Sequence, residues 1–83
     1  MTEIKIDRYK LINVVEKMSL DNKFIRIQIG TMKFKLNSKM LIETLKPMVE
    51  KFCRIQIQDP TQPVAFTENS DDMFVSMICP IQS

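Results

Sequence analysis

The residues of this chain whose types could do chemistry are two cysteines, Cys53 and Cys79, and one adjacent carboxylate pair, Asp71-Asp72. A thiolate nucleophile needs a neighbouring base or cation, and a zinc site needs further nitrogen or sulfur ligands. Histidine is absent, which removes the commonest general base and the commonest metal ligand together. The cysteines stand far apart with no supporting motif, and both read as reduced, buried core residues. Asp71-Asp72 lies among polar residues between two apolar runs, the composition of a solvated turn. Loops that cradle phosphates need glycine for close backbone approach, and Gly30 is the single glycine. The residues therefore point to no catalytic centre, no metal and no cofactor, and to a protein that is not an enzyme.

Size and charge narrow the class further. At 83 residues the chain makes one domain, because a chain this short buries only about 60 to 65% of the surface that its unfolded form exposes. Hydrophobic residues at 45% and charged residues at 27% are ordinary for a soluble globular fold. No run approaches the roughly 18 apolar residues of a membrane span, and Met1 to Asp7 alternates polar and apolar instead of forming an export signal. The expectation is a cytoplasmic protein with no membrane partner. A net charge of +2 is too small to establish nucleic-acid binding by itself.

The elements that must carry any binding surface emerge from an internal repeat. Ile4-Lys5-Ile6-Asp7 through Met18 aligns with Phe34-Lys35-Leu36-Asn37 through Met48, with apolar positions coinciding at Ile6/Leu36, Leu11/Leu41, Ile12/Ile42, Val15/Leu45 and Met18/Met48. After a two-residue slip, Phe24-Ile25-Arg26-Ile27-Gln28-Ile29 meets Phe52-Cys53-Arg54-Ile55-Gln56-Ile57, identical at all but one position. In each copy a period of two gives way to a helical period and then returns, which reads as strand, helix, strand. Asp7 and Asn37 are good N-caps, and Ile6 with Leu11 and Leu36 with Leu41 have the spacing of a hydrophobic staple. The first helix is expected over Arg8 to Met18. The second begins at Ser38 and should be kinked or ended by Pro47.

Gly30-Thr31 joins the copies through a tight hairpin, since Ile29 precedes it and a strand over Lys33 to Leu36 follows. Asp59 to Pro63 and Glu68 to Asp72 read as turns flanking a strand over Val64 to Thr67, and Met73 to Ile81 as a long final strand. The fold class is α+β: one domain of two degenerate strand-helix-strand units, residues 1–30 forming a shortened first repeat and 31–83 the second, with two helices packed on an antiparallel sheet of six strands. Met18, Met40 and Met48 fall on or beside the apolar stripes and are expected as core filler. The final strand is apolar on both faces, so its second face requires a cover.

The stretch from Phe34 to Ile81 carries a resemblance. Phe-Lys-Leu-Asn before the helix, Leu41-Ile42-Glu43-Thr44-Leu45 within it, Arg54-Ile55-Gln56-Ile57 after it, Asp59-Pro60, Pro63-Val64, and Met73-Phe74 to Ile78-Cys79-Pro80-Ile81 resemble, in order and spacing, the end of the last domain of the bacterial DNA sliding clamp, the polymerase III beta subunit. Each domain in that family is itself a duplication of a strand-helix-three-strand unit. The resemblance implies a clamp-like domain whose helices face DNA, which here would present Arg8, Lys10, Lys17, Lys39 and Lys46. It also implies a pocket for the peptides of clamp-binding replication proteins, with Met77, Cys79, Pro80, Ile81 and Gln82 as its wall. The family commonly has methionine in the place of Cys79 and arginine in the place of Gln82.

The expected partners are then duplex DNA, held weakly by each copy, replication proteins carrying clamp-binding peptides, and further copies of the chain. On the first helix the outward residues are Tyr9, Lys10, Asn13, Glu16 and Lys17. On the second, Lys39, Glu43, Lys46 and Glu50 alternate in sign at spacings that favour intrahelical ion pairs. That neutral second helix supports a different reading, a clamp-fold interaction or regulatory protein that binds a replication protein and not DNA.

Overall fold

Strand turns into helix without a loop wherever the last strand residue can cap the helix that follows. The computed structural model describes residues 2–21, 23–70 and 75–81. In it β1 (Thr2–Asp7) passes directly into α1 (Arg8–Ser19), and β3 (Met32–Asn37) into α2 (Ser38–Leu45). Asp7 and Asn37 keep extended backbone while their side-chain oxygens accept the N–H groups of Lys10 and Met40, at 3.1 and 3.0 Å. Each satisfies a donor that the first helical turn leaves without an intrahelical partner. α2 stops at Leu45: Lys46 keeps helical backbone and donates its N–H to the Ile42 carbonyl at 2.9 Å, but Pro47 has no N–H with which to continue the ladder. The second helix is thus short and not kinked.

β2 (Phe24–Ile29) pairs with β3 so that Ile29 faces Met32, leaving Gly30 and Thr31 as a two-residue loop. Gly30 has φ +60 and no other described residue has a positive φ, the pattern of a II′ turn with glycine first. β4 (Phe52–Ile57), β5 (Val64–Glu68) and β6 (Val75–Ile78) complete the described elements. Asp59 pins the turn between β4 and β5. Its carboxylate accepts the hydroxyl and the N–H of Thr61, and these bonds hold its pKa below the ordinary value. β6 ends at Ile78, before the expected Ile81, for Cys79 is followed by Pro80, which has no N–H for a ladder. Asp71, Asp72, Met73 and Phe74 lie outside the described residues.

The six strands form two antiparallel sheets, one ordered β1-β4-β5-β6 and the other β2-β3. The two halves of the chain exchange strands. β1 joins the second half by pairing with β4, placing Ile4 opposite Ile55, while β3 joins the first half by pairing with β2, placing Leu36 opposite Ile25. The same exchange appears where the helices begin. Arg8 donates its backbone N–H to the Lys51 carbonyl at 2.7 Å, and Ser38 donates its own to the Lys23 carbonyl at 2.9 Å, each carbonyl lying just ahead of a strand of the other half. The helices lie side by side and bury Ile12, Val15, Leu41 and Leu45 against Ile55, Ile57, Val64, Phe66 and Ile78 of the larger sheet and Ile25, Phe34 and Leu36 of the smaller. Each such apolar side chain contributes about 1.5–3 kcal/mol when fully removed from water.

Two expectations about the core are corrected. Met18 and Met40 are 40% and 47% exposed, and of the three helix-associated methionines Met48 alone packs against the core. The buried stripe of α1 runs through Arg8, Ile12 and Val15, and that of α2 through Ser38, Leu41 and Leu45, so Met40 is turned about 100° from its neighbour Leu41. Cys53 is buried as expected, whereas Cys79, beyond the end of β6, is exposed.

Gly30→Ala tests the turn. Its added Cβ meets nothing within 4 Å, so any cost comes from the backbone conformation alone. We expect a loss of about 1–2 kcal/mol, read from the urea midpoint with an unchanged slope.

Candidate functional site

The outward face of the helix pair holds most of the cations expected to face DNA. Lys10 and Lys17 on α1 and Lys39 on α2 are exposed. Lys46, the residue after α2, is exposed too but lies 3.4 Å from Glu16 of α1. The ion pair therefore crosses between the helices and does not run along α2, which ends too early to place Lys46 and Glu50 on one helical face. With both side chains about half exposed, such a pair contributes at most about 1 kcal/mol, yet it cancels one positive charge on this face. Tyr9, Val14, Met18 and Met40 are exposed beside these lysines, so the face is mixed apolar and basic.

Arg8 does not join them. It is 3% exposed, and its guanidinium points across the molecule to the end of α2. Nε donates to the Glu50 carbonyl at 2.6 Å and Nη1 to the Leu45 carbonyl at 2.9 Å. The segment following α2 is held from its other side by Glu68, at the end of β5, whose carboxylate accepts the N–H groups of Val49 and Glu50 at 3.1 and 3.2 Å. Glu50 in turn accepts from the Ser70 N–H and hydroxyl. Two nearly buried charges of opposite sign thus satisfy the backbone of a segment that Pro47 keeps out of helical form. Glu68 is expected from the sequence in a polar turn and instead ends β5; Thr67 to Ser70 are all polar, so the pattern carries no signal that would place it in the strand.

At the C-terminal end, β6 places Ile78 inside and Met77, 61% exposed, outside beside Ala65. Cys79 is exposed, Pro80 is buried and Ile81 is half-buried, with the Ile81 N–H donated to the Lys35 carbonyl at 2.9 Å. This bond ties the end of the chain to the edge of β3. Met77 and Cys79 are accordingly available on the surface, Pro80 is not, and Gln82 lies outside the described residues. The two thiols differ in chemistry as well as exposure. Burial pushes the Cys53 thiol up to about 11, with the nearby Arg8 charge pulling it down and Glu68 pushing it up. Among the described residues no three of histidine, cysteine, aspartate and glutamate converge as metal ligands would, and no helix is long and apolar enough to cross a membrane.

Two side-by-side helices on antiparallel sheets, with the halves of the chain trading strands, define a small α+β domain of clamp-like fold. A solved structure of that fold is the crystal structure of the beta subunit from DNA polymerase of Streptococcus pyogenes, to which the chain is similar at a TM-score of 0.83 and 16% sequence identity. The match takes in 100% of this chain and 33% of the beta subunit, so the chain spans about a third of that protein's length. No protein-family model matches the sequence, and no curated protein matches it significantly.

Two variants separate the structural cation from a surface one. Arg8→Met leaves the Glu50 carbonyl without its side-chain donor and should cost about 2–3 kcal/mol in chemical denaturation, whereas Lys10→Met should stay within about 0.5 kcal/mol. A thiol reagent at neutral pH should modify Cys79 rapidly in the native chain and reach Cys53 only in denaturant, which mass spectrometry of the labelled protein checks.

Proposed function

We propose that the chain is a non-catalytic, miniature sliding clamp-like protein, a DNA-associated or docking module of DNA replication or repair that associates with further copies of itself. The observation that carries this reading is the fold likeness, which takes in the whole chain. The division into a shortened first unit over residues 1–30 and a second unit over 31–83 belongs to the same reading. It leaves the first unit two strands short, and unpaired edges invite strand-to-strand pairing with another copy or with a partner.

The helix face supports docking over tight DNA binding. With Arg8 buried and Lys46 opposite Glu16, each copy offers Lys10, Lys17 and Lys39 to phosphates. Three contacts give a salt slope of about −2.7, so affinity for duplex DNA should fall roughly 40-fold between 50 and 200 mM salt. The exposed Val14, Met18 and Met40 among those lysines favour the second reading, a clamp-fold interaction protein that binds a replication protein and not DNA. On either reading Met77, Cys79, Ile81 and Gln82 remain the candidate wall for a replication protein's peptide, with Pro80 buried beneath it.

Light scattering at several protein concentrations, with and without duplex DNA, tests the proposal. A closed oligomer whose mass rises with DNA at low salt supports the clamp-like reading and assigns Lys10, Lys17 and Lys39 to the DNA side. A concentration-independent monomer indifferent to DNA overturns both self-association and DNA contact.

A further inference from the structure

Two strands of nearly identical sequence are treated differently by this fold. β4 is paired on both sides, to β1 and β5, while among the described residues β2, which differs from it only by Ile25 in place of Cys53, is paired on one side, to β3. Since β3 stands to β2 as β1 stands to β4, the open side of β2 corresponds to the side of β4 that β5 covers. Beside it, between the inner faces of the two sheets, lies a cavity of about 180 Å³ lined by Ile4, Ile6, Ile27, Ile29, Phe34 and Leu36 among others. The four isoleucines are only half-buried, so apolar surface meets solvent there. In the second half Phe66 sits opposite Ile55, the counterpart of Ile27, and is fully buried.

We infer that the open edge of β2 receives an extended strand from a partner protein, paired antiparallel, with an aromatic residue opposite Ile27 that fills the cavity. β5 supplies the pattern of that strand, Val64-Ala65-Phe66-Thr67-Glu68, because it is the strand that fits Phe-x-Arg-Ile-Gln-Ile in this very molecule. The backbone supplies affinity and the alternate side chains supply selection. Arg26, exposed and opposite Lys35, has a defined role in the pairing. Its counterpart Arg54 donates from Nη2 to the Glu68 carbonyl at 3.3 Å, so Arg26 meets the carbonyl at the same place on the incoming strand. A second copy is not the source. Its β5 is held between β4 and β6, and releasing it would open in the donor the same edge that it closes in the acceptor. The inference rests on the docking reading above and names the chemistry of one docked partner.

The probe is a fluorescent peptide of residues 63–70, Pro-Val-Ala-Phe-Thr-Glu-Asn-Ser, titrated with the full chain by anisotropy. Saturable binding with slowed amide exchange in β2 is expected. N-methylation of alternate peptide residues, or alanine in place of its phenylalanine, should weaken binding about tenfold or more, the effect of losing one or two hydrogen bonds or one buried ring. Arg26→Ala should weaken it several-fold with an unchanged thermal melt, which separates a lost contact from a lost fold. No saturation, binding equal to that of a scrambled peptide, or binding indifferent to N-methylation overturns the inference. If instead light scattering shows a stable oligomer that excludes the peptide, a second copy occupies the edge and the inference also fails. Peptide binding by a chain that ignores DNA would leave the inference standing while the DNA-associated reading fell.

Discussion

Each helix opens by donating the N–H of its first residue to a carbonyl in the other half of the chain, Arg8 to Lys51 and Ser38 to Lys23. Those donors would otherwise be orphans of the first helical turn, and burying them without partners would cost more than the bonds contribute in water. Because each acceptor lies just before a strand, the bond also fixes where β4 starts relative to α1 and where β2 starts relative to α2. The strand exchange follows, since β1 must then lie against β4 and β3 against β2. Both first-turn side chains reinforce the contact: the Ser38 hydroxyl donates to the same Lys23 carbonyl at 3.0 Å, and Arg8 reaches the Glu50 carbonyl beside Lys51 and the Leu45 carbonyl at the end of α2.

The two contacts are equal in geometry and unequal in electrostatics. Serine closes its side with a neutral hydroxyl, while arginine brings a full charge into a place that is 97% shielded from solvent, and Glu68 supplies the opposing charge on the far side of the segment. The segment between α2 and β4 needs more support because Pro47 denies it helical hydrogen bonds. Cys53 lies within reach of both charges, and its thiol stays protonated because burial outweighs the pull of the arginine. A cation that looks available on a helical wheel is thereby withdrawn from the surface, and the outer helix face is left less basic than its composition suggests.

Local chemistry was legible in the sequence, and the partners chosen at a distance were not. Asp7, Asn37, Pro47 and Gly30 each act through their own backbone neighbourhood, and the helix starts, the early end of α2 and the hairpin all appear where those residues put them. The repeat gave away the near-identity of β2 and β4. Alternation alone could not say that the strands divide into two sheets, because period two fixes a face and leaves the neighbour open. Arg8 and Met40 were misread for one reason: the buried stripe of a short helix is set by the sheet it lands on, and a first-turn residue looks backward past its own helix. Cys79 was misread because the usual burial of free cysteine was set above the alternation, which puts it on the exposed face with Met77 while Ile78 and Pro80 turn inward. Of the candidate binding residues, the surface positions of Lys10, Lys17 and Lys39 agreed with their spacing, whereas a strand apolar on both faces left that of Met77 open, and the open side of β2 required the strand order.

The Gly30-Thr31 turn acquires a second meaning from the exchange of strands. Neither half owns a complete sheet, so the two halves stand to one another as the subunits of an intertwined dimer, and the turn is the tether that makes their meeting an intramolecular event. A tether of two residues holds its ends at a very high effective concentration, and assembly therefore does not depend on how much protein is present. A nick at that turn would convert folding into association between complementing fragments, and the stability of the whole would then become a function of dilution.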